Sequence, residues 1–273
     1  DVHIPSTTSP QTEEFLDAAE SGKCAEVERL LGSGVDIESK DDFGRTALHC
    51  AAERGRLEVV QSLIARRANI EAKNYKDRTP LAMAAYHGRR EVADLLLTHR
   101  ADVATRDDEQ KTPLQLAANN EELDAVELLL TRGADPNIAD KYGLTALHDA
   151  CFWGCLKVVK PLLAAKANPV LRTKAGKSSI DIALDKGTPD LIAAINEAAA
   201  RQAQAQASVL PAPAEVLPPP AEAASAASGP PAPKGDPVPG PLGSPLVTLL
   251  VGIALGVSAA AIVFAALGRR RAH

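Results

Sequence analysis

Two apolar patterns alternate along residues 12 to 200. One is a pair of small residues inside a short stretch: Ala18-Ala19, Ala51-Ala52, Ala84-Ala85, Ala117-Ala118 and Ala150-Cys151. The other sets aliphatic residues at helical spacing: Val27, Leu30, Leu31; Val59, Val60, Leu63, Ile64; Val92, Leu96, Leu97; Val126, Leu129, Leu130; and Val158, Val159, Leu162, Leu163. The second pattern is one face of a helix. The first predicts a helix whose small residues let a neighbour approach closely. Polar residues punctuate both. Thr46, Thr79, Thr112 and Thr145 stand 33 residues apart, with Ser178 one period later. Thr is a good N-cap, and Pro80 and Pro113 follow at the first helical position. Nine residues beyond each cap position come Gly22, Gly55, Gly88, Gly154 and Gly187, with Glu121 as the exception. A Gly there predicts the helix end.

A spacing held without insertion over this range predicts a repeat architecture of stacked units that bury their apolar faces against neighbours. Each unit reads helix, turn, helix, then a projecting hairpin with a polar turn such as Asp41-Asp42-Phe43-Gly44 or Asp140-Lys141-Tyr142-Gly143. The motif Thr46-Ala47-Leu48-His49 returns as Thr79-Pro80-Leu81-Ala82, Thr112-Pro113-Leu114-Gln115 and Thr145-Ala146-Leu147-His148. These residues resemble the ankyrin repeat. The resemblance implies an all-α repeat solenoid, ankyrin-type helix-turn-helix plus β-hairpin loops, with a concave face of hairpin tips and first helices and a role in protein binding. It divides the chain into an N-terminal cap (12–40), repeats at 41–73, 74–106, 107–139 and 140–172, and a C-terminal cap (173–200). Residues 1–11 read as a disordered N-terminus.

Departures from the repeat carry expectations of their own. Arg67, Arg100 and Lys166 replace the family Gly before Ala-Asn or Ala-Asp. A non-Gly residue at positive φ costs about 1 kcal/mol, of which a cation at a helix C-terminus recovers ~0.3–1 kcal/mol. Glu121 has no such compensation, which predicts a softer third repeat. Pro161 falls inside a second helix, where it deletes a hydrogen bond at a cost of ~3 kcal/mol and predicts a kink.

Composition changes the picture after residue 200. Residues 1 to 200 hold 25 of the 30 Lys+Arg and 32 of the 35 Asp+Glu, a net of −7. An acidic folded half has no basic stripe to neutralise phosphates and argues against nucleic acid. Residues 201–245 form an Ala/Pro-rich linker, expected to be disordered, with 12 prolines between 208 and 245, although the composition of Ala198 to Ala207 also suits a continuation of the last helix. As polyproline II that segment reaches roughly 120 Å, as a coil about 35 Å. Leu246 to Leu267 is an uncharged run of 22 residues, and at 1.5 Å per residue it matches a hydrocarbon core of ~30 Å. One transmembrane helix followed by a basic tail (268–273) reads as a tail anchor with the repeats facing the cytosol. The arginines after the helix pull the other way under the positive-inside rule. Reduced thiols at Cys24, Cys50, Cys151 and Cys155 and the lack of Asn-x-Ser/Thr sequons agree with the cytosolic reading. The anchor resembles those of mitochondrial or plastid outer membranes more than those of the endoplasmic reticulum. Gly252 and Gly256 form a Gly-x-x-x-Gly pair, a candidate homodimer seam.

Residues that carry chemistry are few. His49 and His148 sit in the repeat motif and read as hydrogen-bonding residues within and between repeats. His148, Cys151 and Cys155 lack a fourth ligand for zinc. No Gly-rich phosphate loop and no nucleophile with an orienting partner is present, so no enzyme, cofactor or metal is expected. Six of the eight aromatic residues fall at positions the family pattern leaves variable: Phe43, Tyr75 and Tyr142 in hairpin tips, and Tyr86, Phe152 and Trp153 at the ends of first helices. The core is aliphatic, so packing does not require them, and exposed aromatics are the usual binding anchors. The expectation is a membrane-tethered adaptor or scaffold presenting these six residues to a cytosolic or membrane-associated protein. The alternative is a targeting receptor or chaperone that captures hydrophobic or membrane-bound cargo.

Overall fold

A computed structural model describes residues 9–209, which fall within one compact unit, Asp1–Ala214. Six helix pairs follow one another. The first helices are α1 (Pro10–Ser21), α3 (Ala47–Arg54), α5 (Pro80–Tyr86), α7 (Pro113–Asn119), α9 (Ala146–Trp153) and α11 (Ser179–Lys186). The second helices are α2 (Cys24–Gly32), α4 (Leu57–Ala65), α6 (Arg90–Thr98), α8 (Leu123–Thr131), α10 (Leu156–Ala164) and α12 (Pro189–Val209). Each helix packs on its partner and on the same helix of the next unit, which gives two parallel rows.

The cap chemistry acts as the pattern predicts. The Thr79 and Thr112 hydroxyls accept the amides of Ala82 and Gln115. The His49 and His148 rings reach back to the Thr46 and Thr145 amides. Between the rows the core is aliphatic. Leu48, Leu63, Leu81, Leu96, Leu114, Leu129, Leu147 and Leu162 are fully buried, as are the small pairs that let first helices touch. A buried Leu contributes about 1.5–3 kcal/mol.

The structure departs from the sequence reading in the hairpin loops and at both ends of the repeats. The hairpin loops contain no strand among the described residues; a single bridge joins Arg172 and Ser178. Each tip is closed by two backbone bonds, one from the amide of Asp41, Asn74, Asp107 or Asp140 to the carbonyl four residues on and one to its own carbonyl from the amide three residues on, and successive tips are joined by one more, as in Tyr75 N–H to Phe43 O at 3.1 Å. Tips this short leave no length for a ladder. At the start, Ser9 caps α1, so Pro10 and Gln11 are helical rather than part of a disordered N-terminus. At the end, α12 runs past residue 200 to Val209 and takes in the first nine residues assigned to the linker. Its Ala/Gln composition favours helix, and Gln202 Nε2 donates to Ala167 O at 2.9 Å. α10 spans nine residues, Leu156–Ala164, with Pro161 inside it. Positive φ is confirmed at Arg67, Arg100, Lys166 and Glu121, and Asp77 and Gln110 adopt it as well, where other tips have Gly.

Among the described residues no helix is long and apolar enough to cross a membrane. The candidate span at 246–267, the linker beyond 209, the basic tail, and Gly252 and Gly256 lie outside the described residues.

Candidate protein-binding face

The hairpin tips and the ends of the first helices share one register, so residues 33 apart fall in columns. The column at Glu53 continues as Tyr86, Asn119, Phe152 and Asp185, and the one at Arg45 as Arg78, Lys111, Leu144 and Lys177. Tyr86 and Phe152 share the first of these columns, and the six aromatic residues form two clusters and a solitary ring.

The first cluster joins Phe43, Tyr75 and Tyr86. Phe43 and Tyr75 are among the most exposed large side chains, at 67% and 73%. The Tyr75 ring lies against Gly44, where a Cβ would come within 2.6 Å of it; this close approach and φ +74° both require glycine. A cleft of about 310 Å³ opens between the two tips, lined by Phe43, Arg45, Glu53, Tyr75, Arg78 and Met83. Arg45 stands 5.4 Å from the Phe43 centroid, and Arg78 lies 4.9 Å from the half-buried Tyr86 ring. Arg45 is held by Asp41 and Glu53, both at 2.7 Å. Arg78 is held by Asp107 at 3.3 Å. The cations are therefore neutralised in place, and the cleft presents ring faces and guanidinium planes instead of a net field.

The second cluster is Phe152 and Trp153, edge to face at 5.2 Å. Lys186 Nζ sits 3.9 Å from the Phe152 centroid, and Trp153 Nε1–H donates to Asn119 Oδ1 at 3.1 Å. Both rings are about half exposed. Tyr142 stands on its own tip with Lys141 at 5.1 Å.

Both histidines of the motif tie repeats together. With Nδ1 accepting from its Thr amide, Nε2–H of His49 donates to Arg78 O at 2.9 Å, and that of His148 to Leu171 O at 3.1 Å. Gln115 does the same through Nε2–H to Leu144 O at 2.7 Å. Burial pushes the His49 imidazole down to about 4, against the pull of its carbonyl partner. Burial pushes the Cys50 and Cys151 thiols up to about 12. Among the described residues no group of three or more His, Cys, Asp or Glu is placed to hold a metal ion.

Asp149 follows His148 in α9. It is 6% exposed, and burial, reinforced by Asp140 and Glu109, pushes its carboxyl up to about 7. Its Oδ2 and that of Asp140 have no hydrogen-bond partner. A signal was present: the column of Asp149 is otherwise Cys50, Met83, Leu116 and Ile182, residues of a buried position.

Residues 15–107 and 102–173 match the sequence profile described as ankyrin repeats, in three copies. A chain in the solved structure of the Bdellovibrio bacteriovorus predatory endopeptidase Bd0816 in complex with immunity protein Bd3460 is 29% identical, with a TM-score of 0.61, covering 68% of this chain and 97% of that one. An ankyrin repeat domain from Acinetobacter baumannii AYE is 26% identical, with a TM-score of 0.62, covering 67% and 96%. No curated protein matches the chain.

Proposed function

The chain belongs to the ankyrin-repeat family, and on that premise we propose that it is a protein-binding module, held at a membrane by residues 246–267, that docks its partner on the aromatic face of the repeats. The observation that carries the reading is the exposure of Phe43, Tyr75, Tyr142, Phe152 and Trp153 in a fold whose core needs none of them. Exposed rings backed by held cations are the composition of binding hot spots. The uncharged run 246–267 and Arg269, Arg270 and Arg271 support the tether, with the repeats on the cytosolic side and a mitochondrial or plastid outer membrane as the location. The Gly252–Gly256 pair supports a homodimer through that helix. The combined Tyr86→Ala and Trp153→Ala variant of the full chain tests the face. Loss of partners captured by the wild type is expected; an unchanged set of partners rejects the reading.

The likeness to a chain of an endopeptidase–immunity protein complex favours a second reading, in which the partner is an enzyme that the module holds inactive. Adding the full chain to a captured enzyme separates the two: inhibition supports this reading, and unchanged turnover supports the adaptor.

A further inference from the structure

Four tips carry an acidic or amide residue at the same register: Asp41, Asn74, Asp107 and Asp140. In each, Oδ1 does the same work, accepting the amides two and four residues on. The second side-chain atom is where they differ. Asp41 Oδ2 takes Arg45 Nε–H at 2.7 Å. Asn74 Nδ2 meets Met83 Sδ at 3.9 Å. Asp107 Oδ2 takes Arg78 Nε–H at 3.3 Å. Asp140 Oδ2 meets no donor, because the Arg45 position is Leu144 in its own repeat. Lys111, the preceding cation of that column, is held by Glu109 at 3.1 Å and also feels Asp149 and Asp140, though without a hydrogen bond to either Oδ2.

The same register brings in Asp149. Met83, its counterpart, is the residue that Asn74 touches, and Cys50, its counterpart in the first repeat, feels both Arg45 and Asp41. Asp140 and Asp149 thus flank the place that the Arg45 guanidinium fills in the first repeat. Both are 6% exposed, and each has one buried oxygen without a partner. A buried carboxylate left unpaired is strongly unfavourable, and a planar guanidinium is the group that answers two carboxylates together.

We infer that Asp140 and Asp149 receive an arginine side chain of the docked protein, which enters beside Leu144 and supplies the guanidinium that the fourth repeat lacks. The inference rests on the protein-binding reading and names the chemistry of the partner. Lys111, held by Glu109, puts an ammonium near both carboxylates but donates to neither buried oxygen.

The test uses the full chain and N-acetyl-arginine amide as probe, with N-acetyl-citrulline amide as its neutral isostere, followed through the side-chain carboxyl carbon shifts of aspartate. A saturable shift of Asp140 and Asp149 with the arginine probe alone is expected. Binding should weaken at least tenfold in Asp149→Asn and in Leu144→Arg, whose own guanidinium takes the place, and Leu144→Arg should melt higher than the wild type. Several results would overturn the inference. One is a non-saturating shift shared with exposed Asp36. Another is undiminished probe binding by Leu144→Arg, or a lower melting temperature for it. A third is a proton shared between Asp140 and Asp149 that the probe leaves in place. The Tyr86→Ala and Trp153→Ala variant separates the two readings: with partner capture lost and probe binding kept, the aromatic face stands on its own result and the arginine site on this one.

Discussion

Replacing Asp149 by Asn should stabilise the repeats at neutral and alkaline pH and leave them nearly unchanged in acid. The carboxyl rises from 3.8 to about 7 because burial disfavours its charged form. Between those values the folded chain binds more protons than the unfolded one, so stability falls as pH rises. The contribution is complete below 3.8 and lost above 7. At 1.36 kcal/mol per pH unit the span corresponds to about 4 kcal/mol, a large share of the stability of a domain. His49 works in the opposite sense: held at about 4 against 6.5 when unfolded, it makes stability rise with pH over nearly the same window. His87 and His148 are held low by burial too, so the raw wild-type profile sums opposing slopes, and only the difference between wild type and variant isolates Asp149. Urea unfolding of both full chains from pH 4 to pH 8 measures it. The difference should grow from near zero at pH 4 to about 2–4 kcal/mol at pH 8, the lower figure allowing for the polarity of the amide that remains. Parallel profiles would show that Asp149 is ionised and satisfied at pH 7, and the reasoning about its burial would be wrong.

His49→Gln should keep stability within about 1 kcal/mol at pH 7, because Gln115 makes the same two bonds in its repeat; the same urea series should show the acid-side loss between pH 6.5 and 4 removed. Glu121 holds φ +60°, so Glu121→Gly should stabilise the third repeat by about 1 kcal/mol, read as a melting temperature higher by roughly 2–4 °C; an unchanged value would refute the softer third repeat. Native thiol labelling should find Cys24 and Cys155, which are half-buried, before Cys50 and Cys151, which are buried with thiols near 12; equal rates would contradict the packing of α3 and α9.

Much of the fold was legible in the sequence because caps, helix ends and apolar faces are local chemistry repeated at a fixed period. Thr79 before Pro80, Gly55 after Arg54 and the Val59-Val60-Leu63 stripe each state their role within one turn of helix. The exceptions were legible too where the cause was backbone geometry, as at Glu121 and Arg67. The extent of the binding face was legible only in part. The aromatics stood out against an aliphatic core, yet nothing in their order showed that Phe43 and Tyr75 line one cleft with Arg78, which also covers the Tyr86 ring, while Phe152 and Trp153 gather around Asn119 and Lys186.

By itself, then, the sequence determined the period, the helix pairs, the aliphatic core and the family, since each follows from the spacing of side chains along one segment. Tertiary structure alone decided which charges are answered. Arg45 turns back to its own Asp41, Arg78 reaches forward to Asp107, and Lys111 pairs with Glu109. No spacing rule distinguishes these choices, because they depend on where the next repeat puts its carboxylates. Asp140 and Asp149 keep buried oxygens without partners for that reason: the stacking of repeats removes their water, and Leu144 offers no donor in its place.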